Sequence, residues 1–223
     1  MKKTLAAFGV LTGLMTAGAA AHAGVFGEIG TTGAGAHVDI PLRPDLSARV
    51  GMGQLSYSYK GGARDLDFDF RLHGKTYDVL LDWYPSKDSS FHLTTGLAYN
   101  GNTISGRARS NAAGGYTIQG NTYQAGSVGS IDSRMDFNKI APYLGIGWGR
   151  PSETDKGWRF STDVGVLFQG RPKTSLTSSG CSAGTVACNQ LAADLARENG
   201  ALGHEAGKLK LYPVLRIGIS YKF

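Results

Sequence analysis

The C-terminal segment of the chain alternates between two kinds of side chain. From Leu209 to Phe223 every odd position carries Leu, Ile, Pro or an aromatic residue, whereas the even positions are mostly small or basic. Successive side chains of a β-strand point to opposite faces, so a period of two places all the bulk on one face. The segments 91–100, 140–149 and 158–169 repeat the pattern. This two-faced alternation constrains the fold more than any other feature of the chain.

The composition of the second face indicates which face is inside. In a soluble β-sandwich the bulky face is buried and the other face carries Lys, Glu and Thr. Here the second face carries Gly, Ala, Ser and a few charges, in a chain with 33 Gly and only 18% charged residues. A small closed barrel in lipid needs bulky residues outside and compact ones inside, and it must close because hydrocarbon leaves open sheet edges unpaired. The sequence therefore predicts an all-β fold, an eight-stranded antiparallel transmembrane β-barrel. A secreted Gly-rich sandwich is the alternative.

The first residues have the features of an export signal. Met1-Lys2-Lys3 precedes an apolar stretch, and Ala21-His22-Ala23 fits a small-residue cleavage site. We therefore expect residues 1–23 to be a cleaved signal peptide, residues 24–223 to form the barrel, and the protein to reside in the outer membrane. Loss of the two leader lysines lowers the formal net charge from +6 to about +4, too small a surplus to indicate nucleic-acid binding.

The pattern yields seven strands, at about 26–40, 46–59, 66–84, 90–103, 135–149, 158–170 and 208–223. Bacterial barrels have even strand numbers, so an eighth strand must come either from the mature N-terminus or from the segment 103–134. Short periplasmic turns are predicted at 41–45, 85–88 and 151–157. Long extracellular loops are predicted at about 103–134, with a small hairpin at 116–123, and at 171–207.

The last long loop contains both cysteines of the chain. Cys181 and Cys188 are expected to form a disulfide, because an exported protein meets an oxidising compartment. Asn189 is a candidate cap for a short helix with Leu191, Ala192 and Leu195 along one stripe, and we expect this helix to fold over the barrel mouth.

Aromatic residues lie beside the short turns, where amphipathic rings would meet the membrane–water interface. The predicted girdle consists of Trp83, Tyr84, Trp148, Trp158, Tyr221 and Phe223.

Charged residues share the face of small residues and are therefore predicted to line the lumen. They are Asp39, Arg49, Asp78, Asp82, Arg159, Asp163 and Arg216, with His37 and His92 nearby in register. An eight-stranded barrel is just wide enough to be filled by side chains, and charges inside it must pair or stay hydrated. Two interpretations remain open: a salt-bridge plug that stiffens the barrel, and a narrow mixed-charge path that passes a small zwitterion.

No nucleophile elbow, phosphate loop or zinc-protease motif occurs in the sequence. We accordingly expect no enzymatic activity, no cofactor and no metal site.

Three segments resemble CarO-type outer-membrane proteins: Glu28-Ile29-Gly30-Thr31-Thr32-Gly33-Ala34-Gly35, Ile140-Ala141-Pro142-Tyr143-Leu144-Gly145-Ile146-Gly147 and Gly170-Arg171-Pro172-Lys173. The terminal segment from Tyr212 to Phe223 is also similar to small barrels of the OmpW-like group. The CarO-type family is described as porins for ornithine and basic amino acids, so the resemblance implies eight strands and small-solute uptake. It implies no particular site residue.

The sequence thus predicts a porin or channel for passive uptake of small polar solutes, with amino acids such as ornithine or glycine as candidates. The alternative is a non-conducting barrel that stabilises the envelope or binds a partner through its extracellular loops. The expected partners are outer-membrane lipid, lipopolysaccharide and small polar solutes, with the protein as a monomer.

Overall fold

The computed structural model describes residues 24–63, 66–86, 88–149 and 157–222. The predicted signal peptide, most of the turn at 151–157 and Phe223 lie outside these residues. The strands and helices are, in chain order, β1 (Gly24–Gly30), β2 (Gly33–Arg43), β3 (Leu46–Ala63), β4 (Leu66–Trp83), β5 (Phe91–Asn100), β6 (Thr103–Arg109), β7 (Gly115–Ile118), β8 (Asn121–Gln124), α1 (Ala125–Val128), β9 (Ser130–Asp136), β10 (Ile140–Trp148), β11 (Gly157–Phe168), β12 (Lys173–Ser179), α2 (Thr185–Ala206) and β13 (Leu211–Lys222). A 3₁₀ turn, Gly207–Lys210, joins α2 to β13.

Eight of these strands form a closed antiparallel ring. Its order is β1, β2, β3, β4, β5, β10, β11 and β13, and the pairing of β13 with β1 closes it. The connection at 44–45, the ends of β4 and β10 and the beginnings of β5 and β11 lie at one end of the ring, here called the turn end. The opposite end, which carries the remaining strands and α2, is the loop end. The ring confirms the predicted eight-stranded fold.

The eighth strand comes from the N-terminal segment. The expected single strand 26–40 is a hairpin of β1 and β2, which turns at Thr31-Thr32. Gly33 has a positive φ of 98°, and a Cβ there would lie 2.0 Å from the carbonyl oxygen of Gln54. The turn was missed because small residues continue through it without Pro or Asn to mark it.

The bulky faces of the ring strands point outward. Leu215 and Ile217 are 48% and 51% exposed, whereas their neighbours Val214 and Arg216 are buried. Leu97 and Leu144 are likewise exposed beside buried Ala98 and Tyr143. The ring therefore presents an apolar outer surface and encloses the compact and charged residues, as the alternation predicts.

Part of the sheet continues beyond the ring at the loop end. The β3–β4 hairpin stays paired over its whole length, and β6, β9 and β12 are added beside β4 in that order. We call this five-stranded part the extension. The predicted segments 103–134 and 171–207 do connect ring strands at the loop end, but the expectation that they are loops is wrong for β6, β9 and β12, which belong to the extension. Their exposed faces carry polar pairs such as Arg107 and Asp132, so the apolar alternation that marks the ring strands is absent there.

A helix and a hairpin cover one face of the extension. The β7–β8 hairpin and α2 bury a core with the extension; we call these covering elements the cap. The hairpin confirms the one predicted at 116–123 and extends one residue beyond it at each end. The core consists of Leu66, Phe68, Ala108, Tyr116, Ile118, Val128, Ile131, Leu176, Leu191 and Leu195. Alternation along β4 is unbroken from Leu66 to Trp83, so the covered face is continuous with the inner face of the ring. The cap therefore lies on the lumenal side of the extension.

The helix is longer than predicted and begins earlier. It runs for 22 residues from Thr185, so Asn189 lies within its first turns and does not cap it. Leu191 and Leu195 face the core as expected, whereas Ala192 is exposed. None of the helices in the described ranges is both long enough and apolar enough to cross a membrane.

Candidate functional site

Two clusters of ionic side chains fill the inside of the ring. The first, here the Arg49 cluster, contains Arg49, Asp82, His92, Thr94 and Asp163. The second, the Arg216 cluster, contains Glu28, His37, Asp78 and Arg216. Every one of these side chains is buried, with at most 6% of its surface exposed.

The Arg49 guanidinium joins two strands that face each other. Its Nη1 and Nη2 each donate to Asp163 at 2.8 Å, and its Nε lies 3.0 Å from Asp82 Oδ2. In the ring order β3 and β11 are four strands apart, so the Arg49–Asp163 pair spans the full width of the barrel. Such a two-pronged contact is the strongest geometry for an arginine and a carboxylate. This single pair therefore crosses the lumen at its level.

Two neighbouring side chains make further contacts with the two carboxylates of the Arg49 cluster. The Thr94 hydroxyl donates to Asp82 at 2.6 Å, and His92 Nε2 lies 3.3 Å from Asp163 Oδ1. The ring of Tyr84 packs on His92 with centroids 5.2 Å apart. These contacts hold both carboxylates in place for Arg49.

The Arg216 cluster also contains an ion pair that crosses the barrel, between a second pair of opposite strands. Arg216 Nη2 donates to Asp78 Oδ2 at 2.8 Å, and β13 and β4 are again four strands apart in the ring. His37 lies between two carboxylates, 2.7 Å from Asp78 and 3.1 Å from Glu28. Arg216 also approaches Glu28 at 3.5 Å and the Tyr143 ring at 5.5 Å. Acidic and basic groups thus alternate around this level of the lumen.

Glycines on the inner faces make room for the large side chains. A Cβ at Gly51 would lie 2.1 Å from the His37 ring, and one at Gly147 would lie 2.4 Å from His92. At Gly165 a Cβ would lie 2.3 Å from the Tyr143 hydroxyl. Any larger residue at these positions would displace a cluster member or its neighbour.

The structure brings most of the predicted lumenal residues together. Arg49, Asp82 and Asp163 share one cluster, and Asp78 and Arg216 share the other. Asp39 is fully buried on the inner face of β2, and Arg159 is half-buried on β11 nearer the turn end. Neither joins the two clusters through the contacts described above.

Sequence reasoning missed Glu28 as a lumenal residue. A single strand 26–40 that points His37 and Asp39 inward would point even positions such as 28 outward. The turn at Thr31-Thr32 changes this parity, so that Phe26 and Glu28 face inward on β1 while His37 and Asp39 do so on β2. A turn signal at that point would have revealed Glu28.

An apolar cluster borders the ionic clusters. It consists of Leu80, Ala98, Ala141, Tyr143, Leu167 and Val214. On β13, Val214 is the next inward-pointing residue from Arg216 toward the loop end. On β11, Leu167 is the second inward-pointing residue from Asp163 in the same direction. The ionic groups are therefore separated from the loop end by apolar side chains on this side of the lumen.

The aromatic residues at the turn end fall into two groups. Trp83, Trp148, Trp158 and Tyr221 point outward, and the rings of Trp158 and Tyr221 lie 4.9 Å apart. Tyr84 does not belong to this outer group, because it is only 5% exposed and its hydroxyl donates to the carbonyl of Gly149. It comes directly after outward-pointing Trp83, so the alternation of β4 points its side chain inward. Phe223 lies outside the described residues.

The cap is held by a disulfide and by carboxylates of α2. Cys181 and Cys188 are bonded, with Cα atoms 6.0 Å apart, which confirms the predicted pairing. Asp194 Oδ2 accepts hydrogen bonds from the Tyr123 hydroxyl at 2.6 Å and the Asn121 amide at 2.8 Å. These hydrogen bonds, that of Tyr123 first, lower the pKa of Asp194 from 3.8 to about 2. The β7–β8 hairpin is thus tied to α2 by an ionised carboxylate.

Acid is expected to loosen this contact. The folded-state pKa of Asp194 lies below its unfolded value, so the carboxylate contributes stability above pH about 4 that is lost as the pH falls toward about 2. Hydrogen exchange of peptides from 115–124 and 185–206, followed by mass spectrometry, measures this loss. An Asp194→Asn variant should be less protected at neutral pH and should lack this part of the acid effect. Equal acid profiles for the two proteins would contradict the assignment.

Within the described ranges, no group of three or more His, Cys, Asp or Glu side chains is arranged to hold a metal ion.

Known structures share the architecture of the chain. Crystal structures of Acinetobacter baumannii CarO and CarO2 each match with a TM-score of 0.57 at 21% sequence identity. Both matches cover 90% of this chain, with 97% of the CarO chain and 98% of the CarO2 chain. No protein-family model and no curated protein sequence matches significantly. The likeness of the last strand to OmpW-like barrels stays a prediction. The ring, the extension and these two matches together show that the chain has a CarO-type barrel fold.

Proposed function

We propose that the protein is an outer-membrane channel for small polar solutes, closed at rest by its two ionic clusters. The apolar outer surface of the ring and the outward Trp and Tyr residues at the turn end support a place in a membrane. The export signal predicted at 1–23 directs the chain to the cell envelope. Contact with outer-membrane lipid and lipopolysaccharide, and the monomeric state, are part of this proposal.

The observation that carries the proposal is the Arg49–Asp163 pair across the barrel. A solute can pass this level only if the two side chains separate. A zwitterion such as glycine can replace both halves of the pair, because its carboxylate can bind Arg49 while its ammonium binds Asp163. Arg216 and Asp78 offer the same two charges at the next level. Small zwitterionic amino acids are therefore the proposed solutes, with ornithine as a larger candidate.

The burial of the two ion pairs determines how fast we expect solute uptake to be. Breaking a buried ion pair costs about 3–5 kcal/mol, which corresponds to an open population of roughly 0.02–0.6% for each of the two levels taken alone. We therefore expect uptake to be slow compared with an open porin and to rise when a pair is removed.

The test is transport by the purified protein in liposomes and planar bilayers. Wild-type protein should allow liposome swelling with glycine above that of empty liposomes. Asp163→Ala and Arg216→Ala should each raise the leak conductance at least several-fold, because each removes one half of a pair that crosses the lumen. Asp132→Ala is the matched control, since it breaks an exposed Arg107–Asp132 pair in the extension and should leave conductance unchanged.

The deep burial of both clusters also favours a second function, a closed barrel that acts through its cap. In that case glycine and ornithine would not enter above the background, and Asp163→Ala and Arg216→Ala would change stability without changing conductance. Swelling equal to that of empty liposomes would reject the channel proposal in favour of this one. The expectation that the protein is not an enzyme stays a prediction.

A further inference from the structure

The wall of the ring is uneven at the loop end. The β1–β2 hairpin turns at Thr31-Thr32, where the Thr31 amide donates to the carbonyl of Leu215 at 2.9 Å. β3 extends nine residues past its last pairing with β2, which joins Ala34 to Gln54. β13 likewise begins before its first pairing with β1, which joins Arg216 to Gly30. A notch above Thr31-Thr32 therefore separates β3 from the start of β13.

The notch contains a cavity of about 280 Å³. Its apolar wall combines Leu55 and Leu72 from the inner faces of β3 and β4 with Ile104 of β6 and with Leu211 and Pro213 of β13. None of its thirteen lining residues is charged. An apolar cavity of about 150 Å³ is large enough to bind benzene. This cavity is nearly twice as large and suits a body of two fused rings.

Two polar side chains in the lining are available to a ligand. Asn102 and Thr32 are 8% and 6% exposed, and neither the Asn102 amide nor the Thr32 hydroxyl forms a hydrogen bond within the described chain. Gln169, in the same lining, is satisfied by the Leu209 carbonyl and by Asn100. The polar atoms of Asn102 and Thr32 therefore face the open space of the cavity. A bound molecule with its own polar group can hydrogen-bond to them there.

We propose that the notch cavity binds a small neutral amphipathic molecule. Its apolar body, about the size of naphthalene, lies between β3, β4 and β13. Its uncharged hydroxyl or amide group hydrogen-bonds to Asn102, with Thr32 as a second polar contact. A charged head group is disfavoured, because the lining has no opposite charge to pair with it. This ligand class differs from the zwitterions proposed for the lumen, and the site does not depend on conduction.

Three naphthalene derivatives test the ligand class with the wild-type protein in lipid nanodiscs. The intrinsic fluorescence of 1-naphthol is titrated, and the signal of empty nanodiscs is subtracted. We expect saturable binding of 1-naphthol at one site per protein. Naphthalene, which lacks the hydroxyl, should bind about five- to tenfold more weakly, since one hydrogen bond is worth about 1 kcal/mol. The anion 1-naphthoate should bind more weakly still. A signal equal to that of empty nanodiscs, or equal affinity for all three, would overturn the proposal.

Two variants with matched controls test the position of the site. Leu72→Trp should fill the cavity and abolish binding, whereas Leu97→Trp on the outer face should bind like the wild type. Asn102→Leu should remove the preference for 1-naphthol over naphthalene, and Asn189→Leu on the exposed face of α2 should keep it. Retained binding in Leu72→Trp, or a retained preference in Asn102→Leu, would place the ligand elsewhere. If a variant does not fold, the comparison of the three derivatives on the wild type still decides the proposal.

Discussion

Replacing Arg49 with alanine is expected to lower the free energy of unfolding by about 3–5 kcal/mol. The change leaves Asp82 and Asp163 buried side by side without a cation, since Arg49 contacts both carboxylates and is only 1% exposed. Urea titration of the protein folded in lipid vesicles measures the loss. The same variant should conduct more than the wild type, because the side chain that spans the lumen is gone.

A triple variant separates the loss of the pair from the loss of packing. In Arg49→Met with Asp82→Asn and Asp163→Asn the volume is nearly kept and no charge is left unpaired. We expect its stability to lie within about 1–2 kcal/mol of the wild type, because well-packed neutral replacements of buried ion pairs are often close to neutral. If Arg49→Ala alone lost less than about 1 kcal/mol, the cluster would be hydrated and the interpretation as a closed plug would fail.

Placing a charge on the outer surface of the ring is expected to be nearly as damaging. Ile217→Arg sits near the middle of β13 and is half exposed in the structure. In a bilayer an arginine facing lipid near the midplane costs about 2–4 kcal/mol. Unfolding from vesicles should therefore become easier by that amount. In a water-soluble barrel the same exposed position would tolerate arginine with little change.

The control for this prediction lies on the same molecule. Tyr57 is 59% exposed on β3 in the extension, beyond the ring. Tyr57→Arg should change the free energy of unfolding by no more than about 0.5 kcal/mol, since exposed surface substitutions are usually this small. If Ile217→Arg were as mild as Tyr57→Arg, the outer face of the ring would be in contact with water, and the secreted alternative would be favoured.

The sequence predicted the orientation of the ring strands well and their boundaries less well. On β10, β11 and β13 the bulky residues occupy every second position, so the inward direction of Asp163 and Arg216 followed directly. On β1 and β2 small residues continue through the turn, so one strand was expected where two exist, and Glu28 was assigned to the wrong face. On β6 and β9 large apolar residues such as Ile104 and Ile131 are isolated among small and polar ones, so neither strand shows the bulky alternation and a loop was expected there.

The cap likewise contains features that the sequence predicted and one that it did not. The Cys181–Cys188 bond and the packing of Leu191 and Leu195 were predictable from spacing alone. The burial of Asp194 was not, because a carboxylate is expected on the solvent face of a helix. Tyr123 and Asn121 of the β7–β8 hairpin satisfy one carboxylate oxygen, and Gln190 and Arg197 of α2 satisfy the other. The two hairpin partners could not be foreseen. Those partners precede Asp194 by more than seventy residues.

The sequence by itself determined which side of the ring strands faces outward and which faces the lumen, because a period of two is a local property of an extended backbone. Only the tertiary structure decided which lumenal charges pair. Arg49 and Asp163 are 114 residues apart and lie on strands that never touch. They meet because closing eight strands into a ring places β3 opposite β11 and β4 opposite β13, across a lumen narrow enough for one arginine to span.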